Sequence, residues 1–216
     1  MSIYILIICY VPEIAKHSNM SHIANNILTA FNNIVKKNKK NLCVIDIVTC
    51  VSRNKCINDL KKMANRLKNP NNKGIVYYFG HGDQVRDRNG DEEDGMDEKW
   101  VTQNILDDEI SYIFNKIHND SVLYLFSDSC SSGSMIDKKL NKKNWVTFSS
   151  CNDRQDSLTT SEGGVFTLWG LLPALEALFN PTPTELHNFI TSNICINTQT
   201  SLIHTGNDIL LNRKMF

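Results

Sequence analysis

Neither sign of charge predominates in this chain: its 216 residues carry 23 basic and 23 acidic side chains, a formal net charge of zero. Nucleic acid and anionic membrane surfaces favour a basic face, so neither is expected as the main partner. Long apolar runs are missing as well. The longest near the start, residues 3–9, lacks a basic flank and is too short to span a bilayer. It predicts a first strand rather than a signal peptide. The seven cysteines are odd in number, scattered and without C-x-x-C spacing, which argues against a disulfide framework or zinc site and for a reducing compartment. There is no internal repeat, no long internal linker and no extension before the first apolar run. With 41% hydrophobic and 21% charged residues, the composition is that of an ordinary globular chain. The expectation is one cytoplasmic domain over 1–216 with no prodomain.

What is present alternates. "SIYILIICY", "NLCVIDIV" and "KGIVYYF" read as strands buried on both faces, and "SVLYLFS" and "NWVTFSS" continue the series. Between them, apolar residues at helical spacing predict helices over 23–35, 57–67 and 107–116. A further helix is expected over 165–179, and another opens at "TPTEL", where Thr182, Pro183 and Glu185 spell a capping box. A last short strand is expected near "TQTSLI". This alternation predicts a three-layer α/β fold with a mostly parallel central sheet flanked by helices.

Ligands and catalytic groups in such folds gather beyond the carboxyl ends of the strands. Two strands end on reactive residues. One runs into Gly80-His81-Gly82, the other into "FSDSCSSG" with Asp128 and Cys130. A thiol attacks a carbonyl only as thiolate, so it needs a base; an imidazole supplies one and can then protonate the leaving amine. Backbone N–H groups beside a glycine can receive the developing oxyanion. His81 and Cys130 are therefore the candidate catalytic pair, with the N–H groups of Gly82 and Cys130 as oxyanion donors. Cys9, Cys43, Cys50, Cys56, Cys151 and Cys195 lie in apolar or helical contexts and are expected to be inert. Asp128, two residues before Cys130, would raise the thiol's pKa, which makes sense if it binds a cation such as a substrate lysine or arginine.

These motifs resemble those of metacaspases, in the caspase-like clan of cysteine peptidases. "FGHG" resembles the family's SGHG with Phe79 in place of serine, and "DSCSSG" resembles D-x-C-H-S-G with Ser131 in place of histidine. "DGMDE", "FSSCNDRQDSLTTSEGGVFTLW" and "TQTSLIHTG" are similar to three further family segments, in the family's order. His81 and Cys130 lie 49 residues apart, matching the roughly 50-residue offset of caspase-like proteases. The resemblance implies cleavage after Arg or Lys with Asp128 holding the basic side chain, Phe79 bordering that pocket, and a monomeric enzyme. The family's second specificity motif, Cys-x-Asn-Asp, falls by order where Met20 stands for its cysteine and Ile23 for its aspartate; "CINDL" spells the motif but follows the second strand.

The run "DRNGDEEDGMDE" is not an EF-hand, because no glycine sits sixth from Asp87 or Asp91. Gathering such carboxylates in a folded protein needs a cation, and hard oxygens suit calcium. The resemblance implies an activating Ca2+ held by Asp97, Asp107, Asp108 and Asp137. The lysines of "VKKNKKN" and "DKKLNKKN" are then candidate self-cleavage sites only where they are exposed. Two alternatives stay open: a catalytically impaired scaffold that binds partners, and a caspase-clan protease with non-basic specificity.

Overall fold

The computed structural model describes residues 1–15, 20–87, 90, 95–136, 143–194 and 199–216. Chain order begins with β1 (Ile3–Tyr10), the one-turn helix α1 (Pro12–Ala15), α2 (Met20–Lys37), β2 (Leu42–Val48), α3 (Arg53–Arg66) and β3 (Lys73–Gly80). A short antiparallel set, β4 (Gly82–Arg86), β5 (Met96–Trp100) and β6 (Ile105–Leu106), leads into α4 (Asp107–Phe114). Next come β7 (Val122–Asp128), β8 (Trp145–Ser149) and the two-residue strands β9 (Thr159–Thr160) and β10 (Gly163–Gly164). A π-helical segment, Phe166–Leu171, runs directly into α5 (Leu172–Ala177), and α6 (Pro183–Asn193) and β11 (Leu202–Thr205) follow.

The main sheet has the order β11-β8-β7-β3-β1-β2. Its pairs are parallel except for β11 against β8 at one edge. This is the three-layer α/β arrangement that the alternation of elements predicts. Inner strands β3 and β7 are buried almost throughout, which explains their unbroken apolar sequences. One sheet face carries Ile5, Ile7, Tyr77, Tyr124 and Phe126 against Ile27 and Phe31 of α2 and Leu186 and Ile190 of α6. The other carries Leu6, Ile8, Val76 and Leu125 against Leu60 and Met63 of α3 and Ile110 and Phe114 of α4. Each such fully buried side chain contributes about 1.5–3 kcal/mol to the stability of the sheet.

Local signals behave as their chemistry dictates. Ser52 caps α3 by accepting from the Lys55 N–H, and Thr182 and Glu185 form the reciprocal capping box that opens α6. Other expectations are corrected. β2 is not buried on both faces: it is the sheet edge, bonded only to β1, and Cys43 and Val44 are exposed. Its apolar residues serve one face, and sequence alone does not distinguish an edge from a centre. The helix expected over 165–179 begins as a π segment and ends at Ala177, and the last strand starts at Leu202. The small β4-β5-β6 sheet lies where the sequence reads as loop, because its strands are short and largely polar. Among the described residues, no helix is long and apolar enough to cross a membrane.

Candidate active site

Strands β3 and β7 are parallel neighbours whose register pairs Phe79 with Asp128. Two residues on, the chains carry His81 and Cys130, so the sheet itself delivers both groups to one edge. At this point the two backbones almost touch: a Cβ on Gly82 would lie 1.9 Å from the Cys130 carbonyl oxygen. Only glycine fits there. His81, Cys130 and Asp128 line a common cleft of about 430 Å³, together with Val11, Glu13 and Ser157.

The backbone around the histidine is pinned. The His81 carbonyl accepts from the Val101 N–H at 2.9 Å and from the Tyr78 hydroxyl at 2.8 Å. Tyr78 stacks on Trp100 with ring centroids 4.2 Å apart, and the Trp100 Nε1–H donates to Ser127 Oγ at 3.1 Å. The imidazole itself is half exposed, and its Nε2 lies 2.8 Å from Glu13 Oε2.

Buried hydroxyls hold the turn after β7. Ser127 Oγ and Ser129 Oγ are 2.9 Å apart, and Ser150 Oγ accepts from the Ser129 N–H and donates to the Ser129 carbonyl. Ser131, next to Cys130, has a left-handed φ of 45°, and its N–H donates to the Gln155 carbonyl. A non-glycine residue in that region is strained, and strain of this kind collects where a turn must present a reactive group. Burial pushes the Cys130 thiol above its ordinary value, the Ser157 N–H at 3.2 Å pulls it back, and Asp156 adds to the rise. The resting thiol is therefore protonated at neutral pH and needs a base to become a nucleophile.

Asp128 is buried, at 1% exposure. Its Oδ1 accepts from Ser157 Oγ at 3.0 Å, and its Oδ2 accepts from the Thr167 N–H at 3.2 Å and from Thr167 Oγ1 at 2.6 Å. The Thr167 N–H is a free donor because it belongs to the first turn of the π segment. With its proton on Asp128, Thr167 Oγ1 must accept from the Tyr77 hydroxyl, 2.6 Å away. Burial nonetheless wins and pushes the Asp128 carboxyl up from 3.8 to about 6. Gly164 closes the pocket, since a Cβ there would lie 2.1 Å from Asp128 Oδ2.

A family model described as metacaspase, peptidase C14 domain, matches residues 18–139. The chain belongs to the metacaspase family. It is 43% identical over 75 residues to Metacaspase-1 of Saccharomyces cerevisiae, a match covering 32% of this chain and 17% of that protein. It is 29% identical over 136 residues to Metacaspase-1 of Plasmodium falciparum, covering 50% of this chain and 22% of that one. The matched segments thus span about a fifth of these curated relatives. A crystal structure of a Geobacter sulfurreducens protein superposes with a TM-score of 0.71 at 19% identity, covering 98% of this chain and 96% of that one, which shows a shared fold.

The remaining motif positions of this metacaspase separate into groups. Phe79 is 1% exposed and packs in the hydrophobic core beside Asp128, under the cleft rather than on its wall. Asp97 on β5 and Asp107 at the start of α4 are both buried, and Asp108 is partly so. Asp107 Oδ2 accepts from the Glu98 N–H at 3.1 Å and its Oδ1 from the Asp108 N–H at 2.8 Å. Glu98, also buried, bonds Gln84 and Ser134, and burial pushes its carboxyl up. Asp137 and residues 91–94 of the acidic run lie outside the described residues. Among the described residues, no three His, Cys, Asp or Glu side chains gather in a metal-holding cluster. The described candidates, buried Asp97 and Asp107 and part-buried Asp108, are carboxylates, the hard-oxygen ligand type that calcium takes.

Among the other cysteines, Cys9, Cys56 and Cys151 are buried, and burial pushes the Cys56 thiol to about 12 and that of Cys151 to about 11. Cys43 and Cys50 are exposed, contrary to their apolar sequence context, while Cys195 lies outside the described residues. Glu13, Ser157, Thr167 and Gly164 are site residues that the sequence reading misses. Glu13 reaches the site across 68 residues and stands in no quoted motif. Ser157, Gly164 and Thr167 lie within the segment 148–169 that resembles a family segment, but nothing in it says which side chains reach Asp128 and Cys130.

Proposed function

We propose that this chain is a cysteine endopeptidase that cleaves protein substrates after Arg or Lys through a Cys130–His81 dyad. The observation that carries the reading is a buried carboxylate, Asp128, in the same cleft as the nucleophile and the imidazole. An ion in that position is costly unless a cation joins it, and a substrate guanidinium or ammonium is such a cation.

The chemistry follows from the groups present. His81 takes the thiol proton of Cys130, and the thiolate attacks the scissile carbonyl carbon. The oxygen, now negative, is received by the N–H groups of Gly82 and Cys130. As the C–N bond breaks, His81 returns the proton to the leaving amine, and a water activated by the same imidazole later hydrolyses the thioester. Calcium, held by Asp97, Asp107, Asp108 and Asp137, would join the acidic segment to the base of α4 and favour its ordered state. The partners would be protein or peptide chains with accessible basic residues, met by a monomer in the cytoplasm. Self-cleavage would fall at exposed lysines such as Lys39 and Lys40 after α2.

The test is a peptide library varying the residue before the scissile bond, with Cys130→Ala as control. Turnover confined to Arg- and Lys-ended peptides and absent from Cys130→Ala is expected. Turnover that survives Cys130→Ala, or that ignores the basic residue, refutes the proposal.

A further inference from the structure

A dyad needs no third member, yet the cleft holds one more ionisable group in contact with the histidine. Glu13 sits on α1, the single turn that follows β1, and β1 pairs with β3 up to Tyr10 against Gly80. The register therefore brings residues just beyond the two strand ends together, and Glu13 Oε2 lies 2.8 Å from His81 Nε2. An ionised carboxylate only accepts hydrogen bonds, so the bonded Nε2 must carry the proton. In the neutral ring that leaves Nδ1 as the basic nitrogen.

We propose that Glu13 is a positioning residue for His81. It holds the ring with Nε2–H directed at Glu13 and leaves Nδ1 to exchange a proton with the Cys130 thiol. This rests on the reading of His81 as the general acid/base. The main chain of His81 is already fixed by the Val101 N–H and the Tyr78 hydroxyl. Its remaining freedom is rotation of a ring whose side chain is 46% exposed and so lightly packed. A partner that fixes ring and tautomer restricts that freedom. The step is balanced: the S–H bond breaks, its proton forms an N–H bond at Nδ1, and the electron pair stays on sulfur as thiolate. The proton at Nε2 remains on Nε2 throughout. Asp128 and Cys130 at the end of β7 share the cleft with the imidazole, and Asp156 approaches Cys130. None of these is bonded to Nε2 in place of Glu13.

Because the contact is solvent-exposed, its effect is a few-fold rather than the orders of magnitude of a buried triad. For Glu13→Ala in the full chain, kcat is expected to fall about three- to fivefold with KM changed by less than about twofold. Glu13→Gln, which keeps an acceptor oxygen at the same reach, should recover most of the loss. In a Cys130→Ala background, ring 15N shifts of His81 should report Nε2–H as the dominant tautomer, and Glu13→Ala should mix the two. An unchanged kcat, an unchanged tautomer, or a Gln variant as slow as the Ala variant each overturns the proposal. His81→Ala run alongside separates the two layers. Lost turnover there with no effect at Glu13 leaves the dyad standing and removes only Glu13, whereas retained turnover removes both.

Discussion

Replacing Asp128 by asparagine is expected to stabilise the resting protein while destroying its affinity for basic side chains. The carboxyl is buried and is pushed from 3.8 to about 6. At about 1.4 kcal/mol per pH unit, holding it ionised above pH 6 costs the folded state roughly 3 kcal/mol. The sign follows from where protons sit. Below pH 3.8 both folded and unfolded chains keep the proton, and Asp128 is neutral to stability. Between 3.8 and 6 the unfolded chain releases it while the folded chain retains it, so stability falls as pH rises through that window. Above 6 the penalty is complete. Asparagine has no such penalty and can accept from Thr167 through its amide oxygen while donating to Ser157. Urea unfolding of the two proteins at pH 4.0 and 7.5 isolates this group, because Glu98 and the other carboxyls titrate alike in both. The advantage of Asp128→Asn should grow by about 2–3 kcal/mol between the two values. A difference that does not change with pH, or that shrinks, refutes the reasoning. The same variant should lose turnover of Arg- and Lys-ended peptides. In the unsubstituted protein, KM for those peptides should rise as pH falls below 6.

Gly82→Ala is expected to abolish turnover, since its Cβ would sit 1.9 Å from the Cys130 carbonyl and must part the two strand ends; wild-type kcat/KM in that variant refutes the close approach. Gly164→Ala, 2.1 Å from Asp128 Oδ2, should instead act mainly on the basic-residue pocket and raise KM; an unchanged KM argues against the pocket. Phe79→Ser restores the residue that the family pattern carries but removes a fully buried ring, and should cost about 3–5 kcal/mol of stability in thermal or urea unfolding. A neutral substitution there would mean that the ring is not held by the core. Millimolar EDTA is expected to abolish turnover and added calcium to restore it; full activity in EDTA refutes the calcium proposal.

Much of this molecule is legible in its sequence for a physical reason. Strands β1, β3, β7 and β8 are buried, so their sequences are continuous apolar runs, and the reactive residues follow where the runs stop. His81 and Cys130 stand out because a histidine between glycines and a cysteine in a serine-rich turn have no role in a core. The unread parts depend on the third dimension. β2 looks like an inner strand until its neighbour is known, and β4–β6 are too short and polar to register as a sheet. Glu13 is 68 residues from His81 and meets it only through the pairing of β1 with β3. The π segment has the same apolar content as an α-helix, yet it is what turns the Thr167 N–H toward Asp128.

Ser157 ties two of the cleft's groups together. Its N–H reaches the sulfur of Cys130 and its hydroxyl reaches the carboxylate of Asp128, so one residue holds both the attacking atom and the group that grips the substrate. A proteolytic cut or a bound partner that shifted the segment between β8 and β9 would disturb reactivity and recognition together. A displacement of that segment would therefore not change one without the other. In the proposed peptidase, such a displacement would register as a simultaneous change in kcat and KM.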